Sequence, residues 1–119
     1  MAKIMIIDDD RTTVRLLQTL LEMDGFEVLM AGRGQGALEL AQQNNPDVFL
    51  VDYHLSDMEG IDVVRALRAD PTFATAPIVM TSGLNVEDDA LKAGATKFLV
   101  KPFEPGNLAA LFNGLLAKE

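Results

Sequence analysis

The chain contains no cysteine and no tryptophan, and aromatic residues make up only 6% of its 119 residues. The missing cysteines exclude disulfides, thiolate nucleophiles and cysteine-based metal sites. With a single histidine, His54, an imidazole cluster is excluded as well. Basic residues are scarce, with 10 Lys and Arg against 18 Asp and Glu, for a net charge of −8. Such a balance lacks the basic patch that direct contact with nucleic acid or an anionic membrane requires. Long apolar runs are missing too. The first, Ile4 to Ile7, stops at three aspartates, unlike a signal peptide. The longest charge-free stretch, Pro71 to Val86, holds two prolines and a glycine, so nothing reads as a membrane span. These absences together describe a soluble, cytoplasmic, acidic protein.

What is present is an aliphatic core of ordinary size. Hydrophobic residues make up 49% of the chain. Folded surface scales to about 6,300 Å² against about 18,700 Å² for the extended chain, so folding buries about two-thirds of it. The length suits one domain, residues 1–119, with no linker, repeat or separate output domain in the sequence.

Short apolar runs alternate with amphipathic segments. The runs are Ile4–Ile7, Val28–Met30, Val48–Val51, Ile78–Met80 and Phe98–Val100. Between them, Val14, Leu17 and Leu21 form one helical stripe, flanked by Leu16, Leu20 and Met23 and ended by Gly25. Ala37–Ala41, Ile61–Leu67 and Val86–Leu91 supply three more helices, the last stopped by Gly94. A fifth helix carries Leu108, Leu111, Phe112 and Leu115, with Pro105 in its first turn. The pattern is (βα)₅, a doubly wound α/β fold. Strands apolar on both faces predict a parallel sheet covered by helices on each side.

In such a sheet the chemistry sits beyond the carboxyl ends of the strands. The residues there are Asp8-Asp9-Asp10, Ala31-Gly32, Asp52, Thr81-Ser82-Gly83 and Lys101-Pro102. Three carboxylates converging at one edge repel each other by about 3 kcal/mol per pair at about 5 Å and an effective dielectric near 20. A proton or a cation must relieve that. An all-oxygen ligand set suits a hard ion, Mg²⁺ or Mn²⁺. Lys101 adds a positive group and Ser82 a hydroxyl, so the edge is equipped to hold a phosphoryl group, with Asp52 as its carboxylate nucleophile. Asp10 reads as the N-cap of the first helix.

Four motifs carry a family resemblance: IMIIDDD (Ile4–Asp10), VFLVDYHLSDMEG (Val48–Gly60), PIVMTSG (Pro77–Gly83) and GATKFLVKPF (Gly94–Phe103). In order and position they resemble the receiver domain of bacterial two-component response regulators, the family of the chemotaxis regulator. The resemblance implies a flavodoxin-like strand order, 2-1-3-4-5. It makes Asp52 the phosphoacceptor, Asp9 a direct Mg²⁺ ligand and Asp8 a ligand through water, with the backbone carbonyl of His54 as a further ligand. Ser82 matches the hydroxyl that meets the phosphoryl group on activation, whereas Thr81 falls one residue early. Lys101 matches the phosphate-pairing lysine, Lys101–Pro102 a cis peptide bond, and Phe98 the aromatic switch position. His54 and Leu84 occupy positions that influence attack by water.

The implied reaction takes a phosphoryl group from a histidine kinase, from a histidine phosphotransfer protein or from small donors. Phosphorylation then alters the surface of the fourth helix, fifth strand and fifth helix, where a downstream protein docks or the chain self-associates. The domain is a regulatory phosphoacceptor, not an enzyme, although it assists its own phosphorylation and dephosphorylation. Departures from the pattern are Ser56, where proline is common, Ser82 in place of threonine, and Phe98, which lacks a tyrosine hydroxyl.

Two other motifs compete. IMIIDDDRT fits a haloacid dehalogenase-type aspartyl phosphatase with Asp8 as nucleophile and Asp10 as acid. That reading leaves Asp52 without a role and finds only Glu104 and Glu119 downstream of Lys101, where an acidic pair is needed. Gly32-Arg33-Gly34-Gln35-Gly36-Ala37 is a formal G-x-G-x-x-A dinucleotide pattern. It sits at the wrong strand for Asp8, Asp9 and Lys101, and reads better as a loop opening the second helix. In the fifth helix, Asn107, Ala109, Ala110, Asn113, Gly114 and Ala117 are expected to face outward as a small, neutral docking face.

Overall fold

A computed structural model describes residues 2–117. The domain expectation of 1–119 thus extends past the described residues at Met1, Lys118 and Glu119. Five strands form one parallel sheet in the order β2-β1-β3-β4-β5, with β1 at Lys3–Ile7, β2 at Glu27–Ala31, β3 at Val48–Asp52, β4 at Ile78–Ser82 and β5 at Lys97–Val100. The helices between and after them are α1 (Arg11–Met23), α2 (Ala37–Asn44), α3 (Gly60–Ala69), α4 (Glu87–Ala93) and α5 (Leu108–Leu116). The surface of 6445 Å² matches the scaling expectation for a chain of this mass.

Period-two alternation along the inner strands divides the core into two layers. Met5, Ile7, Phe49, Val51, Ile78 and Met80 pack on one face beneath α2, α3 and α4. Ile4, Ile6, Val48, Leu50 and Val79 pack on the other with Val14, Leu17 and Leu21 of α1 and Leu108 and Phe112 of α5. T-shaped aromatic pairs pin each layer, Phe49 on Phe73 at 5.3 Å and Phe26 on Phe112 at 6.3 Å.

Some expectations are corrected. The edge strands β2 and β5 are not covered on both sides, and Met30 and Val100 are exposed. Each edge strand has one neighbour and falls partly beyond the reach of the helices. In the flanking rows of α1, Leu16 and Met23 are exposed, and Leu91 in α4 is exposed too. Pro105 opens a separate 3₁₀ turn, Pro105–Asn107, and α5 starts at Leu108. Ala109, expected to face outward, is partly buried against the second core layer. Asn107, Ala110, Asn113, Gly114 and Ala117 are exposed.

Candidate functional site

Sheet register builds the site. Ile7 pairs with Val51, so the chain leaving β1 at Asp8 lies beside Asp52, the last residue of β3. Asp52 pairs in turn with Thr81 of β4. Ser82 pairs with Val100, and the Lys101 N–H donates to the Ser82 carbonyl at 2.7 Å, which brings the lysine to the same edge. Four strands thereby deliver Asp8, Asp52, Ser82 and Lys101 to one rim.

Carboxylate oxygens of Asp8, Asp9 and Asp52 all lie within 4.8 Å of one another. Asp8 and Asp52 are buried, while Asp9 is exposed. Lys101 Nζ stands 3.3 Å from Asp52 Oδ1 and 3.5 Å from Asp8 Oδ2. One ammonium therefore pairs with two of the three carboxylates. Burial pushes the Asp52 carboxyl above its usual range, and the Asp8 charge pushes the same way, against Lys101. For Lys101, burial acts downward, but Asp8 and Asp52 outweigh it and its pKa rises. The donor set is all oxygen, negatively charged and incompletely neutralised, which fits a hard divalent cation.

The surrounding backbone holds this rim in place. The Asp8 N–H donates to Ala31 O at 3.1 Å, and Asp8 Oδ1 accepts from the Asp10 N–H at 2.9 Å. The Tyr53 N–H donates to Thr81 O at 2.8 Å. Gly60 opens α3 against the end of β3, where a Cβ would overlap the Asp52 carbonyl oxygen and approach Tyr53 Cα to 2.9 Å. Any side chain at Gly60 would displace the strand end that carries Asp52.

The other expected residues are arranged as follows. Ser82 is fully buried, and its Oγ accepts from the Leu84 N–H at 3.0 Å, within its own loop. Phe98 is partly buried against the first core layer. The His54 side chain is half exposed, 3.8 Å from Glu59. Lys101–Pro102 is a cis peptide bond. Asp10 caps α1, accepting from the Thr13 hydroxyl at 2.8 Å and the Thr13 N–H at 3.3 Å. Its carboxylate is therefore engaged at the helix end, away from the acid role that the phosphatase motif would assign it.

Two residues that the sequence did not single out for these contacts touch the site or its loops. The buried Thr81 hydroxyl lies 3.5 Å from Asp52 Oδ1. Period-two alternation from Asp52 through its partner on β4 is the signal that could have found it. Asp57 accepts from the Gly34 and Gln35 N–H groups at 2.9 and 2.8 Å. These donors belong to the glycine-rich loop of the dinucleotide pattern, so that loop already holds an anion, the chain's own carboxylate.

Comparison with known proteins agrees with this geometry. Residues 4–113 match the model of the response regulator receiver domain. The chain is 39% identical over 106 residues to the transcriptional regulatory protein KdpE of Mycobacterium tuberculosis, covering 87% of this chain and 46% of that protein. It is 37% identical over 111 residues to the DNA-binding response regulator MtrA of the same organism, covering 91% of this chain and 47% of that protein. The chain thus spans about half the length of these curated relatives. Among solved structures, a putative response regulator from Chloroflexus aurantiacus superposes with a TM-score of 0.92 at 32% identity, covering 98% of both chains. The chemotaxis response regulator CheY4 of Vibrio cholerae gives 0.90 at 30% identity, covering 97% of this chain and 98% of that one. The aspartyl phosphatase reading finds no support in these matches. By its residues, its fold and these relatives, the chain belongs to the response regulator receiver domain family, the phosphoacceptor switches of two-component signalling.

Proposed function

We propose that residues 1–119 act as one receiver domain in which Asp52 is the phosphoacceptor. A carboxylate oxygen of Asp52 bonds to phosphorus as the P–N bond of a phosphohistidine breaks, and the bonding pair returns to the imidazole nitrogen. Asp8, Asp9 and Asp52, with the His54 carbonyl, would hold Mg²⁺ (or Mn²⁺). When bound, that ion neutralises and orients the phosphoryl oxygens. Lys101 pairs with a phosphoryl oxygen from the opposite side. Ser82 turns from Leu84 toward the new phosphoryl group, and Phe98 repacks into the space it leaves, a shift between two packings. Water later hydrolyses the acyl phosphate, so the domain times its own signal without being an enzyme for an external substrate.

The observation that carries this reading is the convergence of the three carboxylates with a single lysine at the rim. Response regulators take their signal from histidine kinases, and the partner proposed here is such a kinase or a histidine phosphotransfer protein. A groove of about 370 Å³ beside Lys101, lined by Leu16, Leu17, Pro102, Phe103 and Pro105, offers an apolar seat next to the acceptor. The α4–β5–α5 face is the proposed output surface, for a protein target or a second copy. With a net charge of −8, the domain itself makes no proposed contact with nucleic acid. Among the described residues no helix is long and apolar enough to cross a membrane, and the proposed workplace is the cytoplasm.

Incubation with radiolabelled acetyl phosphate and Mg²⁺ tests the assignment. At most one phosphoryl group per chain, labile to base and to hydroxylamine, is expected, and it is lost in Asp52→Asn. Labelling of Asp52→Asn at the wild-type level, or multiple turnover through Asp8, would overturn it. For the output face, Ala110→Arg is expected to weaken association induced by beryllofluoride; sedimentation unchanged by beryllofluoride in the wild type would sink that part.

A further inference from the structure

The loop from Asp52 to Gly60 is tied in two places. At its base the Gly60 N–H donates to Tyr53 O at 2.6 Å, and His54 and Glu59 form an antiparallel bridge. At its tip Asp57 reaches across to the loop after β2, with Oδ1 on the Gly34 N–H and Oδ2 on the Gln35 N–H. The two loops also pack closely here. A Cβ on Gly34 would overlap the Met58 thioether and come within 3.0 Å of Val63 Cγ2. The two backbone bonds, Gly34 first, hold the Asp57 carboxyl below its usual range, so it accepts from both as a carboxylate at neutral pH.

We propose that Asp57 is a positioning residue for the cation site: by clamping the tip of the β3–α3 loop onto the β2–α2 loop, it fixes the orientation of the His54 carbonyl. The inference rests on the reading of the site given above. It follows from the way the loop is held. His54 stands at the base, opposite Glu59, and its carbonyl belongs to the first peptide on the way to the tip. With the tip released, only the base pair still holds that carbonyl, and a ligand held less firmly before binding lowers affinity. Asp57 touches neither the phosphoryl group nor the ion.

The test uses the single tyrosine, Tyr53, as the fluorophore beside Asp52, in a chain with no tryptophan. Mg²⁺ alone is titrated into wild type, Asp57→Ala, Asp57→Asn and a control, Asp70→Ala. Asp70 makes comparable bonds, from Thr72 N–H and Gln42 Nε2 at 2.8 Å each, but far from the site. Asp57→Ala is expected to weaken Mg²⁺ binding about tenfold, at the low end for groups that orient a metal ligand. Asp57→Asn, which keeps one acceptor for Gly34, should recover part of that loss. Exchange of the Gly34 and Gln35 amides should accelerate in Asp57→Ala. Asp70→Ala should lower the melting temperature and leave Mg²⁺ affinity unchanged. Wild-type affinity in Asp57→Ala, or an equal loss in Asp70→Ala, overturns the positioning role while leaving the site assignment standing. Absence of any Mg²⁺ response in wild type overturns both.

Discussion

At the amino ends of the strands, the half-buried Arg68 guanidinium sits among neutral acceptors: Gly94 O at 2.8 Å, Phe73 O at 2.9 Å, Ala76 O at 2.6 Å and Thr96 Oγ1 at 3.2 Å. At the carboxyl ends, three carboxylates crowd within 4.8 Å, and Lys101 pairs with only two of them. Both ends withdraw charge from water, with opposite outcomes. The arginine has donors in a fixed fork, and carbonyls from the segments before β4 and β5 fill them, so the charge is solvated by the protein and ties the fold together. Carboxylates only accept, and placing three together leaves a field that the protein cannot cancel from its own residues. One end is closed as architecture, and the other remains open to a cation and a phosphoryl group.

Breaking the closed end should have the largest effect on stability. Arg68→Met leaves several carbonyls with no donor, which costs about 3 kcal/mol when a charged donor is lost. For a domain of this size that is about 10 °C in melting temperature. Gly94, at φ +117° with Arg68 Cγ 2.8 Å from any added Cβ, should tolerate alanine nearly as badly. Thermal denaturation checks both, and the Mg²⁺ response of the folded variants should persist, because no residue of the rim is touched.

The open end is sharpened by removing its internal cation. Lys101→Met leaves the carboxylates with greater mutual repulsion, so Mg²⁺ should bind several-fold tighter while phosphoryl transfer slows. Calorimetric titration measures the first effect and labelling rates the second. Unchanged or weaker binding would mean that the lysine does not compete with the ion.

The smallest contrast lies in pH dependence. Bonds from Gln42 and Thr72 hold the Asp70 carboxyl below its usual range. Its stabilisation is therefore present above about pH 4 and drains away as pH falls through the folded value. The Asp52 carboxyl is raised instead, chiefly by burial. Its contribution is present below the unfolded value and is lost as pH rises through the folded one. Without metal, Asp70→Asn should flatten the acid limb of the stability profile, and Asp52→Asn the decline above about pH 4. Denaturant melts across that range distinguish the two.

These contrasts also mark what the sequence reveals. Every strand end of the rim is legible, because apolar runs three or four residues long terminate in chemically distinctive side chains, and a doubly wound sheet gathers those ends at one edge. Asp10 as a cap and the lone parallel sheet are legible for the same local reasons. Asp57 is not, since its partners lie 22 and 23 residues away and nothing near it signals a loop clamp. Nothing local in the sequence marks Arg68, because its acceptors come from segments that meet only in the folded chain. The exposure of Leu16, Met23 and Leu91 escapes periodicity because these short helices bury a narrow stripe, and neighbours beside the stripe stay in water.

If the crowded carboxylates destabilise the metal-free fold, a divalent cation should relieve them. Melting temperature of wild type and Asp52→Asn, each in chelator and in Mg²⁺, tests it directly. In chelator, Asp52→Asn should melt a few degrees above wild type. Mg²⁺ at about ten times its dissociation constant should raise wild type by about 5 °C, the equivalent of about 1.4 kcal/mol, and barely move the variant. A variant less stable than wild type in chelator, or a wild type indifferent to Mg²⁺, would contradict the account.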